Sequence, residues 1–272
     1  MGECPMTQAD LVDNREQYGD SSKLEARARL HRKYAQTEAP WFSWIAGKAK
    51  LQSGSRVLDI GCGPGWFWAE AAESLPESLD IQLADLSPGM VDEAIARVRG
   101  IGRWAEVEGT VADVTELPFD DASFDAIFAV HMLYHASDRA RAIAEIARVL
   151  KPGGVAIVTT NGRDDCASLY DLGYRAFGGK PGSPIAGLFD LEMGGPMLRA
   201  AFGEVEEFPF QSRLVCTDPK DVVAFLLSHP PGDGAPAEQQ ARLRELTEAA
   251  FEAAGGVFEI RKVVGLFLCR KG

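Results

Sequence analysis

The segment Arg56-Val-Leu-Asp-Ile-Gly-Cys-Gly-Pro-Gly65 constrains this chain more than any other: a short apolar strand runs into three glycines and then a helix. Gly61, Gly63 and Gly65 permit a tight turn and remove the Cβ atoms that would stand between the main chain and an approaching group. A turn of this kind at a helix N-terminus predicts main-chain N–H groups facing a ligand, with an anionic part of it against the loop. Alone it is a moderately specific sign of a nucleotide-like ligand. Motifs further along the chain sharpen the reading.

Strand and helix signals alternate through the first half, which predicts a parallel sheet with helices on both faces. After the strand Arg56–Ile60 comes a second at Ile81–Ala84, and Ser87-Pro88 then supplies an N-cap and first helical residue. Val91, Ala94, Ile95 and Val98 give that helix a core-facing stripe. Strands are predicted at Ala105–Val111 and Phe124–Val130, and Asp138 caps a helix with Ile143, Ile146, Ala147 and Leu150 on one side. Lys151-Pro152-Gly153-Gly154 reads as its stop and as the turn into a strand at Val155–Thr160. Ahead of all this, residues 1–20 read as a loosely docked tail, Ser22 and Glu25 form a capping box for a helix ending before Pro40, and Trp41–Ala49 forms a second. Beyond 161 the pattern loosens. Gly173–Gly195 reads as a long Gly/Pro-rich loop covering a site, and Glu204–Val215 and Val257–Arg270 as an antiparallel pair at the sheet edge. Between those strands, helices at Asp218–Ser228 and Ala237–Ala254 read as a lid. The expectation is an α/β, Rossmann-like, doubly wound, seven-stranded, mostly parallel sheet with an antiparallel edge, N-terminal helices and a helical lid insertion. It forms one structural domain in three segments, 1–50, 51–160 and 161–272.

In an open sheet of this type ligands bind beyond the carboxyl ends of the strands. Asp85 ends the second strand 20 residues after Gly65, where a carboxylate accepts two hydrogen bonds from a ribose diol. Asp113 ends the third, placed to receive an adenine amino group, and His131 follows the fourth. Trp66 stands where a dinucleotide fingerprint needs its last glycine, which argues against a pyrophosphate-bearing cofactor. An adenosine carrying a zwitterionic amino-acid tail fits better, its carboxylate on the loop N–H groups.

These motifs, VLDIGCGPG, DLSPGM from Asp85, ADVTELPF around Asp113, FDAIFAVHMLYH and LKPGG in that order, resemble class I S-adenosylmethionine-dependent methyltransferases. The resemblance is to the small-molecule branch that includes quinone-biosynthesis and natural-product methyltransferases, and it covers about residues 50–160. It implies S-adenosyl-L-methionine as cofactor and S-adenosyl-L-homocysteine as product. Gly61, Cys62 and Gly63 would then line the methionine part, Asp85 the ribose, Leu86 and Met90 the adenosine, Asp113 and Val114 the adenine edge, and His131 would sit near the methionine or sulfonium. Asp59 would orient the turn or reach the amino group through water. His31 and Tyr34, one turn apart on the first helix, either close over the cofactor or belong to an ordinary packed face. His131 and His135 are the candidates for a general base, with a structural role equally open to them. Leu169, Tyr170, Tyr174, Phe177, Phe189 and Phe225 either line an acceptor pocket or form lid core.

Charge narrows the partners. A formal net charge of −12 disfavours nucleic acid, and HMLY stands after the fourth strand where an amino-methylating nucleic-acid enzyme would carry an NPPY-like motif. No apolar run approaches the length of a membrane span, and the polar N-terminus is unlike a signal peptide. Five scattered cysteines without metal-ligand spacing suit free thiols in a reducing cytoplasm, with no metal. The expected partner is a small-molecule acceptor methylated at oxygen, nitrogen or carbon, the protein acting as monomer or homodimer. The alternatives are a cofactor-binding subunit without catalysis and an enzyme using the cofactor site for a non-methylating reaction.

Overall fold

Alternating apolar strands and capped helices produce the wound sheet in the computed structural model, which describes residues 22–179, 181–183 and 185–272. The predicted capping box involves the Ser22 side chain, which with the tail 1–21 lies outside the described residues. The elements are α1 (Ser22–Tyr34), β1 (Ala35–Gln36), α2 (Trp41–Ala49), β2 (Arg56–Ile60), α3 (Trp66–Ala71), β3 (Asp80–Asp85), α4 (Pro88–Arg99), β4 (Glu106–Val111) and β5 (Phe124–Val130). They continue with α5 (Arg139–Val149), β6 (Leu150–Asn161), α6 (Ala167–Phe177), α7 (Leu191–Phe202), β7 (Glu204–Cys216), α8 (Pro219–Leu227), α9 (Ala237–Ala253) and β8 (Phe258–Arg270). The strand order is β1-β7-β8-β6-β5-β2-β3-β4. Strands β6, β5, β2, β3 and β4 run parallel, β8 is antiparallel to β6, and β1 is antiparallel to β7. The sheet therefore has eight strands rather than seven, the extra one being the two-residue β1.

The chain forms two compact units. One holds 22–38 of the described residues with Arg163–Ala186 and Gln211–Val263; the other holds Ala39–Gly162, Gly187–Phe210 and Val264–Gly272. In the second unit both sheet faces are covered, the arrangement a parallel sheet requires. One face packs Leu58, Ile60, Ala129 and Val158 against Ile143 and Ile146 of α5 and Leu198 and Phe202 of α7. The other packs Val57, Ile81, Leu83 and Phe128 against Ile45 of α2, Phe67 and Trp68 of α3 and Ala94 and Val98 of α4. Helix α4 lies unusually close to its neighbours. A Cβ on Gly109 of β4 would stand 2.4 Å from Ile95 Cδ1 and 2.7 Å from Val91 Cγ1.

The first unit is built on Leu30, Leu169, Leu214, Val222, Phe225, Leu243 and Ile260. Asp221 accepts from Tyr34 Oη at 2.8 Å and pairs with Lys33 at 2.7 Å. Lys262 pairs with buried Asp165 at 2.8 Å, and Asp165 also accepts from the Val263 N–H.

Two expectations fail here. Gly173–Gly195 is not one long loop, because α6 occupies its start and α7 begins at Leu191. Strand β6 begins at Leu150 rather than Val155: Leu150 pairs with Phe124, a register shift follows, and the LKPGG turn becomes part of the strand.

Candidate functional site

The glycine loop joins β2 to α3. All three glycines adopt positive φ, at 68° for Gly61, 51° for Gly63 and 76° for Gly65. Gly61 is required twice over, since a Cβ there would also stand 2.6 Å from Met132 Cβ. At Gly65 a Cβ would crowd Ala94 Cα and Val98 Cγ2 of α4, both at 3.1 Å. At Gly63 the Cβ direction is open.

The loop donors are turned inward. The N–H groups of Gly61 and Cys62 both donate to Ala84 O, at 2.8 and 3.0 Å, and that of Gly65 to Cys62 O at 3.1 Å. The Gly63 N–H donates to Asp85 Oδ2 at 3.0 Å, while Asp85 Oδ1 accepts from the Ser87 N–H at 2.9 Å. This corrects the expectation that these N–H groups await a ligand carboxylate. Arg97 holds the same loop by donating to Pro64 O.

Acids dominate what remains. Asp59 is 1% exposed, accepts from Trp68 Nε1 at 2.8 Å, and burial pushes its pKa up to about 7. Burial also raises Asp85, opposed by the N–H groups of Ser87 and Gly63. Asp113 is exposed at the end of β4, where its Oδ1 accepts from the Thr115 N–H and hydroxyl, both at 2.8 Å. Among the described residues no basic side chain pairs with Asp59, Asp85 or Asp113. Such a site suits a ligand rich in donors or positive charge. Leu86 and Val111 are each 50% exposed at the ends of β3 and β4, an apolar surface beside these carboxylates.

The remaining expected residues divide. Val114, Met90 and Cys62 are buried, and the Cys62 thiol is pushed well above its ordinary pKa by burial and by the charges of Asp59 and Asp85. His131 ends β5 at φ 54°, its N–H on Thr159 Oγ1 at 3.1 Å and its ring 5.7 Å from Trp41. His135 closes a 3₁₀ turn, Leu133–His135, with its ring 4.5 Å from Tyr134. His31 and Tyr34 belong to the first unit, where His31 meets Phe225 edge-on and Tyr34 is buried on Asp221. Of the candidate acceptor-pocket residues, Leu169, Phe189 and Phe225 are buried core, and Tyr174 is exposed. Sequence reasoning missed Met132, which fills the space over Gly61, and buried Thr159, which holds the His131 turn; an isolated methionine and an interior strand threonine carry no local signal. Among the described residues, no group of three or more His, Cys, Asp or Glu could hold a metal ion, and no helix is long and apolar enough to cross a membrane.

Residues 58–158 of the chain match the family described as "Methyltransferase domain". Over 114 residues it is 38% identical to the 27-O-demethylrifamycin SV methyltransferase of Amycolatopsis mediterranei (strain S699), covering 40% of this chain and 40% of that protein. Over 118 residues it is 32% identical to a ubiquinone/menaquinone biosynthesis C-methyltransferase of Geobacter sp. (strain M21), covering 43% of this chain and 50% of that one. The chain thus spans half or less of the length of these curated relatives. Among solved structures, the [4+2]-cyclase SpnF matches at TM-score 0.58 and 21% identity, over 100% of this chain and 99% of its own, a likeness of fold.

Proposed function

We propose that the protein transfers a methyl group from S-adenosyl-L-methionine to a small-molecule acceptor, at oxygen, nitrogen or carbon. The observation that carries this is the set of unpaired carboxylates around a loop whose donors point inward. A cationic, amine- and hydroxyl-bearing ligand complements that set, and an anionic one does not. Each Asp85 oxygen has a lone pair beyond the one engaged by Gly63 or Ser87, enough for a ribose diol. Leu86 and Val111 offer apolar surface to an adenine, and Asp113 an acceptor for its amino group. Gly63 leaves room for the amino-acid tail.

The cofactor, when bound, supplies a methyl group activated by a sulfonium. The chain's own contribution is alignment of a nucleophile in line with the S–CH₃ bond and exclusion of water, effects that together account for most of the acceleration. A hydroxyl acceptor also needs its proton removed, typically a gain of about 10²–10⁴-fold, and His131 and His135 after β5 are the groups we assign to that task. Four buried thiols, Cys62, Cys166, Cys216 and Cys269, support a reducing, cytoplasmic setting. A ubiquinone/menaquinone biosynthesis C-methyltransferase and a 27-O-demethylrifamycin SV methyltransferase among the relatives support a biosynthetic acceptor.

Calorimetric titration of S-adenosyl-L-homocysteine into the wild type and Asp85→Ala tests the reading. Micromolar binding, weakened at least about 30-fold in the variant (about 2 kcal/mol), is expected. Absence of binding to folded wild type refutes it. Acceptor-dependent formation of S-adenosyl-L-homocysteine then separates methyl transfer from mere cofactor binding and from the non-methylating chemistry that the SpnF-like fold also hosts.

A further inference from the structure

Arg139 is placed where local stability argues against an arginine. It is the first residue of α5, a cation at the positive end of a helix, where the one acid is the N-cap Asp138 and the first turn itself holds none. Its Nε is shielded from water and has no acceptor. Its hydrogen bond to the protein is a long one, Nη2 to Tyr134 O at 3.4 Å, and no acid pairs with it among the described residues. Other arginines of the second unit, exposed or half-buried, are better provided. Arg99 reaches Val107 O at 2.8 and 3.1 Å, and Arg141 reaches Thr115 O at 2.7 Å. Arg148 binds Glu145 and Asp121, and Arg103, whose Nε also lacks an acceptor, pairs with Glu73 and Glu77. The neighbouring acid, Asp138, caps the helix by accepting from the Arg141 N–H at 3.0 Å and does not pair with Arg139. Burial, with nothing to offset it, lowers the guanidinium's pKa.

The position matters as much as the deficit. Arg139 reaches back to the turn that carries Met132, Tyr134 and His135, and Met132 is the residue packed over Gly61. That turn is the acceptor side of the site proposed above, on which this inference rests. From these observations we infer that Arg139 recognises a carboxylate on the methyl acceptor. Its Nε and an Nη form the side-on edge that takes both oxygens of a carboxylate in two parallel hydrogen bonds. A single guanidinium balances one negative charge, which favours a carboxylate over a phosphate dianion. Arg139 is thereby a specificity residue, selecting acidic acceptors over neutral ones of the same shape.

Benzoate and its neutral counterpart benzamide are the probes, titrated into the full chain with and without S-adenosyl-L-homocysteine. The readouts are the Arg139 Nε–Hε signal, identified by its loss in Arg139→Gln, and the backbone amides of Tyr134 and His135. Saturable benzoate shifts at these three groups, absent with benzamide and weakened at least tenfold in Arg139→Gln, are expected. Arg139→Lys, which keeps the charge but not the fork, should fall between. Benzoate that leaves Arg139 unmoved, or binds Arg139→Gln as well as wild type, overturns the assignment. Unchanged S-adenosyl-L-homocysteine affinity in the variants certifies the fold. Loss of that binding in the wild type would remove the methyltransferase reading while leaving the carboxylate result to be judged by itself.

Discussion

Replacing Asp59 by asparagine should make the second unit more stable at neutral pH, by an amount that depends on pH in a stated direction. In the unfolded chain this carboxyl loses its proton near pH 4, at about 3.9. In the fold, burial holds the proton until about pH 7. Between those values the folded state binds more protons than the unfolded one, so unfolding free energy falls as pH rises. The span is about 3 pH units at about 1.4 kcal/mol each, or about 4 kcal/mol at pH 7.5 and close to nothing at pH 4. The side-chain amide introduced by Asp59→Asn keeps an oxygen for Trp68 Nε1 and carries no charge, so the variant lacks this slope. All five tryptophans, at 41, 44, 66, 68 and 104, lie in the second unit, so their fluorescence reports that unit alone. With a urea m-value of about 3 kcal/mol/M, the Asp59→Asn midpoint should exceed that of wild type by about 1 M more at pH 7.5 than at pH 4.5. A difference between the two proteins that stays constant from pH 4.5 to 7.5 would refute the argument, because Asp59 would then titrate as an ordinary carboxyl.

Gly61→Ala should lower stability by about 2 kcal/mol or more and weaken S-adenosyl-L-homocysteine binding, because a Cβ there meets Met132 and φ is 68°. Adding Met132→Ala removes the contacts with Cγ and Cε but leaves the 2.6 Å approach to Met132 Cβ and the backbone strain, so chemical denaturation should show only partial recovery; full recovery would show that neither of the two that remain matters. In the first unit, Lys262→Met leaves the Asp165 charge buried without its partner and should cost about 3–5 kcal/mol by circular dichroism melts. The double variant Lys262→Met with Asp165→Asn should regain most of that loss, and failure to do so would mean that the pair contributes more than mutual neutralisation.

The first half of the fold was legible because local and global preferences agree there. Arg56–Ile60, Phe124–Val130 and Trp41–Ala49 stand where their apolar patterns predict, and Ser87 and Asp138 accept from Met90 N–H and Arg141 N–H as N-caps should. The second half misled where glycine and proline serve packing instead of turning. Gly194 and Gly195 read as the end of a loop, yet they lie inside α7, where a Cβ on Gly194 would crowd Phe189 and Phe267 at 3.0–3.1 Å. Tertiary contact outweighs propensity at such positions. At the site, residue identities were legible and hydrogen bonding was not. The glycine spacing announced a loop but not that Ala84 O, Cys62 O and Asp85 would take its donors, which depends on how β2 and β3 align. Arg139 gave no signal because an arginine near a helix start is common, and only its missing partners mark it.

Helix α4 sits between two glycines that face it from different elements, Gly65 of the loop and Gly109 of β4. Ala94 and Val98 meet the first, and Val91 and Ile95 the second, all without room for an added carbon. The helix therefore works as a calliper. Its girth fixes how far the loop stands from the end of β4, and hence, on the proposed function, the length of ligand that would reach from Gly63 to Asp113. Enlarging Ala94 would open that gap without altering any residue of the proposed site, so the gauge between loop and strand is written into a helix that only packs.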